Sequence, residues 1–230
     1  MRHRLVAVIG VWLLVGVALA AADFWEEQEF TAWSDKNVEK MLTDSPWAQR
    51  VRIVVGSLTE DALPTLGQPT LPTIPPLDDC VGQFGGVQRH RIRIAWTSAL
   101  PIKQALVRQS VGLGAPVPPK SQQMLDQAEP FYTVTLFDIP PSFAVLASMR
   151  EALLAETRLK RKDGEPIVPA EVRLFQSTDD QLIRVVFMFP KDDAITLDDE
   201  EVELVTRLVQ SEVKKKFKLK DMMFLGQLEL

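Results

Sequence analysis

The period of apolar and polar positions changes several times along this chain, and each change marks an element. Residues 5–19 are uncharged and without period, with Arg2, His3 and Arg4 ahead of them and the small residues Ala18, Ala20, Ala21 and Ala22 around their end. A charged head, an apolar run of about 15 residues and an A-x-A site make a secretory leader. Residues 1–22 are expected to be removed, with the exported chain starting at Ala21 or Asp23. An anchor helix needs about 20 apolar residues, so no transmembrane anchor is expected after cleavage.

Residues 23–50 form a Trp-rich N-terminal docking segment. Ser34 suits a helix N-cap, Asp35 the positive end of the helix, and Val38, Met41 and Leu42 recur at helical spacing. Pro46 disfavours helical geometry at Ser45, which predicts a stop near Asp44. The apolar, β-branched run 51–55 then predicts a buried strand, and an α+β domain is expected over residues 51–230.

Residues 57–88 carry Pro64, Pro69, Pro72, Pro75 and Pro76 among threonines, followed by Gly82, Gly85 and Gly86. That composition predicts a long surface loop between two strands. Ile92, Ile94 and Trp96 alternate with Arg91 and Arg93, which predicts a half-buried strand. Pro101 fits a first helical turn, with Ile102, Ala105, Leu106 and Gln109 on one face before Gly112. Pro116, Pro118 and Pro119 predict a second break, and residues 132–138 a strand. Ser142 opens a helix with Phe143, Leu146, Met149 and Leu153 on one side.

From Val168 onward the pattern turns to strands at 172–176, 182–189, 201–208 and 212–219. The first two are expected to pair as a hairpin across a Ser-Thr-Asp-Asp turn. The run 182–189 is apolar on both faces except at Arg184, which predicts a strand covered on both sides. Residues 201–208 are ambiguous, since Asp198, Asp199 and Glu200 could equally start a helix. These elements predict an α+β fold: a mostly antiparallel sheet with two to three packed helices and long Pro-rich loops.

Composition narrows the function. The chain has 230 residues, is 46% hydrophobic and 25% charged, and carries a net charge of -5. Those proportions exclude a disordered chain and a disulfide scaffold, and the acidic balance argues against nucleic acid as a partner. Loss of the leader removes Arg2 and Arg4 and makes the balance more acidic still. It also leaves His90 as the mature histidine and Cys80 as a lone cysteine, expected to be a small buried hydrophobe.

The spaced tryptophans, from Trp25-Glu26 to Trp33-Ser34, and the stretch Met41-Leu42-Thr43-Asp44-Ser45-Pro46-Trp47-Ala48 resemble the opening of a group of uncharacterised secreted bacterial proteins of acidobacterial type. Residues 214–230 resemble their C-terminal stretch loosely. Some of those proteins carry a GWxTD-domain label, whereas this sequence contains no G-W-x-T-D. The resemblance implies an exported protein. It brings no activity and no catalytic residues with it.

Among chemistry-bearing residues, a Cys80–His90 pair competes with a strand histidine facing solvent, and the strand reading is preferred. One histidine and one cysteine fall short of a zinc site. Asp192, Asp193, Asp198, Asp199, Glu200, Glu201 and Glu203 crowd twelve positions without the alternation of a calcium loop. A solvated acidic face is preferred, and for the run Lys214, Lys215, Lys216, Lys218 and Lys220 a Glu–Lys facing across a hairpin is preferred over a basic patch for anionic lipid or polysaccharide. No metal or other cofactor and no catalytic residue is assigned. Trp25, Trp33 and Trp47 are the ligand-binding candidates, as rings that stack on sugars or partner proteins, set against a role as packing anchors. The expectation is a secreted or periplasmic, non-enzymatic binding or scaffolding protein of the cell envelope, its partner an envelope protein or polysaccharide. The alternative is a carboxylate-based envelope enzyme such as a glycan hydrolase.

Overall fold

The computed structural model describes residues 23–55, 88–140, 150–177, 181–208 and 211–230. The expected leader, Cys80, all but the last residue of the 57–88 loop and positions 142–149 of the helix opened by Ser142 lie outside the described residues. Among the described residues the fold is α+β, with five α-helices and eleven strands, and every strand pair is antiparallel.

The N-terminal segment runs through α1 (Phe24–Glu27), a 3-10 turn and α2 (Asp35–Thr43). Ser34 caps α2 as its sequence predicts, its hydroxyl accepting from the Asn37 N–H at 3.2 Å. Val38, Met41 and Leu42 are buried along the helix, which ends one residue before Asp44. Next come β1 (Asp44–Ser45) and β2 (Ala48–Val55), so the boundary expected at residue 50 falls inside a strand.

The main sheet continues with β3 (Gln88–Trp96), β4 (Phe131–Ile139), β6 (Glu171–Gln176) and β7 (Ile183–Pro190), in the order β1-β2-β3-β4-β7-β6. A second sheet holds β5 (Arg158–Lys160), β8 (Glu201–Leu208) and β9 (Ser211–Lys218) in the order β5-β8-β9, and β10 (Met223–Phe224) pairs with β11 (Gln227–Leu228). Residues 201–208 are thus a strand, and the helix signal just before them becomes a 3-10 turn at Leu197–Asp199. That turn is closed by a capping box between Thr196 and Asp199. The expected Glu–Lys facing is realised in β8 and β9, where Glu201 opposes Lys218 and Glu203 opposes Lys216.

One core joins the two sheets. Ile92, Ile94 and Trp96 on β3, Val134 and Leu136 on β4, and Val185 and Phe187 on β7 are all fully buried. Val202, Leu204, Val213 and Phe217 belong to the same cluster from the second sheet. Trp96 meets Phe217 edge to face at 5.5 Å between ring centroids. The residues between them in the main sheet point the other way. Residues 182–189 therefore depart from the expectation of cover on both sides. Val185, Phe187 and Phe189 are buried, Val186 and Met188 are half-buried, and Arg184 is exposed.

The helices lie partly on that other face. α2 packs against β2 and against α3 (Leu100–Val111), and its Glu39 pairs with Arg50 of β2 at 3.5 Å. In α3 the buried face includes Ile102 and Ala105 as expected, whereas Gln109 is exposed and Lys103 and Arg108 take buried positions. Arg108 reaches Asp35 at the start of α2 at 3.0 Å. The second Pro-rich break is itself helical: Pro119 opens α4 (Pro119–Asp126). A proline costs nothing there, because the first N–H of a helix has no intrahelical partner. α5 (Arg150–Glu156) is helical within the span expected to follow Ser142, and its Leu153 is buried as expected.

Candidate functional site

The three tryptophans proposed for binding are core residues. Trp33 and Trp47 are 0% exposed and Trp25 is 5% exposed. Their rings form a chain of edge-to-face contacts, Trp33–Phe24 at 5.3 Å, Phe24–Trp25 at 4.9 Å and Trp25–Trp47 at 5.7 Å. Both fully buried indoles have their N–H satisfied, Trp33 by the Gln28 carbonyl at 3.0 Å and Trp47 by the Glu229 carbonyl at 2.9 Å. An exposed stacking platform is therefore not what these rings make, because a buried ring has no free face. Trp25 alone of the three borders a shallow groove of about 600 Å³, beside Lys40, Lys220 and Asp221.

Part of the acidic run is paired within the fold. Asp193 pairs with Arg161, Glu200 with Lys162 at 2.5 Å, and Glu201 with Lys216. Asp199 accepts from the Thr196 N–H at 2.9 Å. Among the described residues no cluster of three or more His, Cys, Asp or Glu stands ready for a metal ion. His90 sits half-buried on β3 opposite Ile53. Among the described residues three carboxylates have displaced pKa values, all downward: Glu171 accepts from Arg173, Asp193 from Arg161 and Glu212 from Lys214. Each is held ionised, whereas a general acid for glycosidic cleavage needs its pKa raised.

What the register assembles instead is an arginine face. Alternation puts Arg50 and Arg52 of β2 on one side of the sheet with Arg89, Arg91 and Arg93 of β3, and pairs Arg50 with Arg93 and Arg52 with Arg91 directly across the strands. Through the β4 and β7 registers, Arg184 and, on β6, Arg173 fall on the same side. Seven of the fourteen arginines therefore share one face of one sheet. The outward positions of these strands hold no lysine.

Like charges directly opposite one another are destabilising in a sheet. At Arg50–Arg93 the repulsion is relieved, since Arg50 pairs with Glu39 and Arg93 with Asp138. Arg173 is paired with Glu171 at 2.7 Å. Arg52, Arg89, Arg91 and Arg184 are exposed and form no ion pair with a described residue. Among the described residues no carboxylate therefore relieves the Arg52–Arg91 repulsion between these adjacent strands.

One row of this face crosses four strands as Arg93, Phe137, Arg184 and Phe175. Arg93 opposes Phe137, and Phe175 opposes Arg184. Both guanidiniums lie against the Phe137 ring, at 5.0 and 5.1 Å from its centroid, within cation–π range. The β4–β7 register shifts between Leu136 and Ile139, and Asp138 adopts φ 62° at that irregularity. Aspartate is among the few residues that tolerate this region. A bulge re-aims a side chain, and here the Asp138 carboxylate receives both Nε and Nη2 of Arg93. The row borders a pocket of about 250 Å³.

Sequence reasoning recognised the alternation of β3 but did not join it to β2. The signal was present as two i, i+2 arginine runs, 50/52 and 89/91/93, but Arg50 and Arg89 fell just outside the segments expected to be strands. Compared with known families, curated proteins and solved structures, the chain matches no family model, no curated protein and no solved structure. Among the described residues no helix is long and apolar enough to cross a membrane.

Proposed function

We propose that the chain is an exported, non-enzymatic binding protein of the cell envelope, and that its arginine face takes an anionic polysaccharide. The observation that carries this reading is the exposed Arg52–Arg91 pair, without a carboxylate partner among the described residues, with Arg89 and Arg184 on the same face of the sheet. Stability alone selects against that arrangement. An anion spanning the two strands turns the repulsion into attraction. Arginine in place of lysine fits carboxylate groups, because the planar guanidinium forks onto both oxygens. The chain as a whole is acidic, so a polyanion is repelled elsewhere and confined to this face. The leader pattern and the N-terminal resemblance support export and thereby an envelope glycan over a nucleic acid.

The test is retention of the exported protein on immobilised polygalacturonate against immobilised dextran, in a rising salt gradient. Retention on the acidic polymer, with elution by salt, is expected. An Arg52→Gln/Arg91→Gln variant should pass through while melting no lower than the parent, since the substitution removes a repulsion. Passage of the parent at low salt, or equal retention of the variant, overturns the reading. Intact mass of the exported form should start at Ala21 or Asp23, and a retained leader overturns export.

A further inference from the structure

We infer that the pocket at the Arg184 end of the face is a specificity site for one carboxylate-bearing sugar unit of the polymer, an inference that rests on the reading above. The pocket, about 250 Å³, is lined by Arg93, Phe137, Asp138, Phe175, Ile183 and Arg184 among others. Its charges are unequal in availability. Arg93 and Asp138 engage each other through two hydrogen bonds and cancel. Among the described residues Arg184 has no carboxylate partner, which leaves one positive charge on the described lining for a ligand carboxylate to meet.

The surroundings say what else the ligand carries. Phe175 stands opposite Arg184 in register and is 51% exposed, a large apolar ring left in water next to the Arg184 guanidinium. A ligand with an apolar face adjoining its carboxylate covers that ring as it pairs with Arg184. Asp138, already bridged to Arg93, keeps lone pairs that accept hydroxyl protons. A single carboxylate, an apolar ring face and hydroxyl donors together describe a uronic acid. A neutral sugar leaves Arg184 unmatched, and a simple fatty carboxylate leaves Asp138 without a donor.

Free galacturonate is the probe, with galactose as the neutral control, read by backbone amide chemical shifts of the exported protein. Galacturonate should bind in the millimolar range with shifts concentrated at Phe137, Phe175, Ile183 and Arg184, and galactose should bind at least tenfold more weakly. Arg184→Gln should weaken galacturonate binding tenfold or more at unchanged melting temperature, because the side chain is exposed. Arg184→Lys, which keeps the charge without the fork, should fall between the two. No shifts at those residues, equal binding of galactose, or an unaffected Arg184→Gln variant overturns the inference. Failure here with retention on polygalacturonate intact removes the pocket and leaves the face. Monomer binding without polymer retention removes the face and leaves the pocket.

Discussion

The indole N–H of Trp47 donates to the backbone carbonyl of Glu229 at 2.9 Å, a hydrogen bond spanning 182 positions of the chain. The same Glu229 accepts through its side chain from the Leu100 N–H at 3.3 Å, at the first turn of α3. The C-terminal end therefore ties the Trp-rich segment to α3, and the fully buried Trp47 ring is fixed from both ends of the sequence.

Replacing Trp47 with alanine should cost about 3–5 kcal/mol, the range for deleting a buried aromatic side chain. Trp47→Phe keeps most of the apolar contact but leaves the Glu229 carbonyl without its donor, at a cost of about 1–3 kcal/mol. Chemical denaturation of the three proteins checks the order. An alanine variant as stable as the parent would refute the anchoring role.

Glu229 makes a separate prediction. Leu100 N–H is one of the four donors that a helix start leaves unpaired, and Ala99 at the N-cap offers no side-chain acceptor. Glu229→Ala should therefore destabilise by about 1 kcal/mol, the size of a lost cap. Glu229→Gln should lose less and remove the salt dependence, since its amide oxygen still accepts but carries no charge for the helix dipole. Thermal melts at low and high salt separate the two variants.

Much of this architecture is written locally. Ser34 and Pro46 bracket α2, and the alternation of Arg91 and Arg93 with Ile92, Ile94 and Trp96 places β3 with one face inward. Whatever depends on register between distant segments is not local. Arg52 and Arg91 become neighbours only when β2 and β3 pair across the long connection between them. Arg184 joins Phe137 through a bulge that no residue pattern announces. α4 is hidden because proline clusters read as breaks, although Pro119 sits where a helix accepts one. The buried cations of α3 are hidden for a different reason. Lys103 and Arg108 look like a solvent face until α4 and α2 supply their partners.

Lys103 is the support of α4. Its ammonium donates to the carbonyls of Met124 and Gln127 at 3.2 and 3.4 Å and pairs with Glu129 at 3.1 Å. A cation at this position complements the negative end of the helix. Lys103→Met keeps the buried stem but strands those acceptors, at a cost of about 1–3 kcal/mol. Hydrogen exchange should report it as faster exchange across Pro119–Asp126, with β3 and β4 little changed. Equal protection of α4 in both proteins would sink this assignment.

Acid stability follows from three paired carboxylates, one of them in the acidic run. Asp193 accepts from Arg161, and this hydrogen bond holds its carboxyl below the ordinary aspartate value. Glu171 and Glu212 are held below the ordinary glutamate value by Arg173 and Lys214 in the same way. Because the folded value is the depressed one, the unfolded chain takes up protons first as pH falls. The stabilisation is whole above the ordinary carboxylate range. It is lost progressively from about pH 5 downward, until the folded groups also protonate. Asp193 is well exposed, so solvent screening keeps its share small. Asp193→Asn should flatten the pH dependence of the denaturation midpoint between about pH 5 and 3, with little change near pH 7 in slope. Removing Arg161 by Arg161→Met should flatten it similarly, because the depression of the Asp193 pKa depends on that partner. An acid profile identical to the parent in both variants would show that the pair contributes nothing to folding.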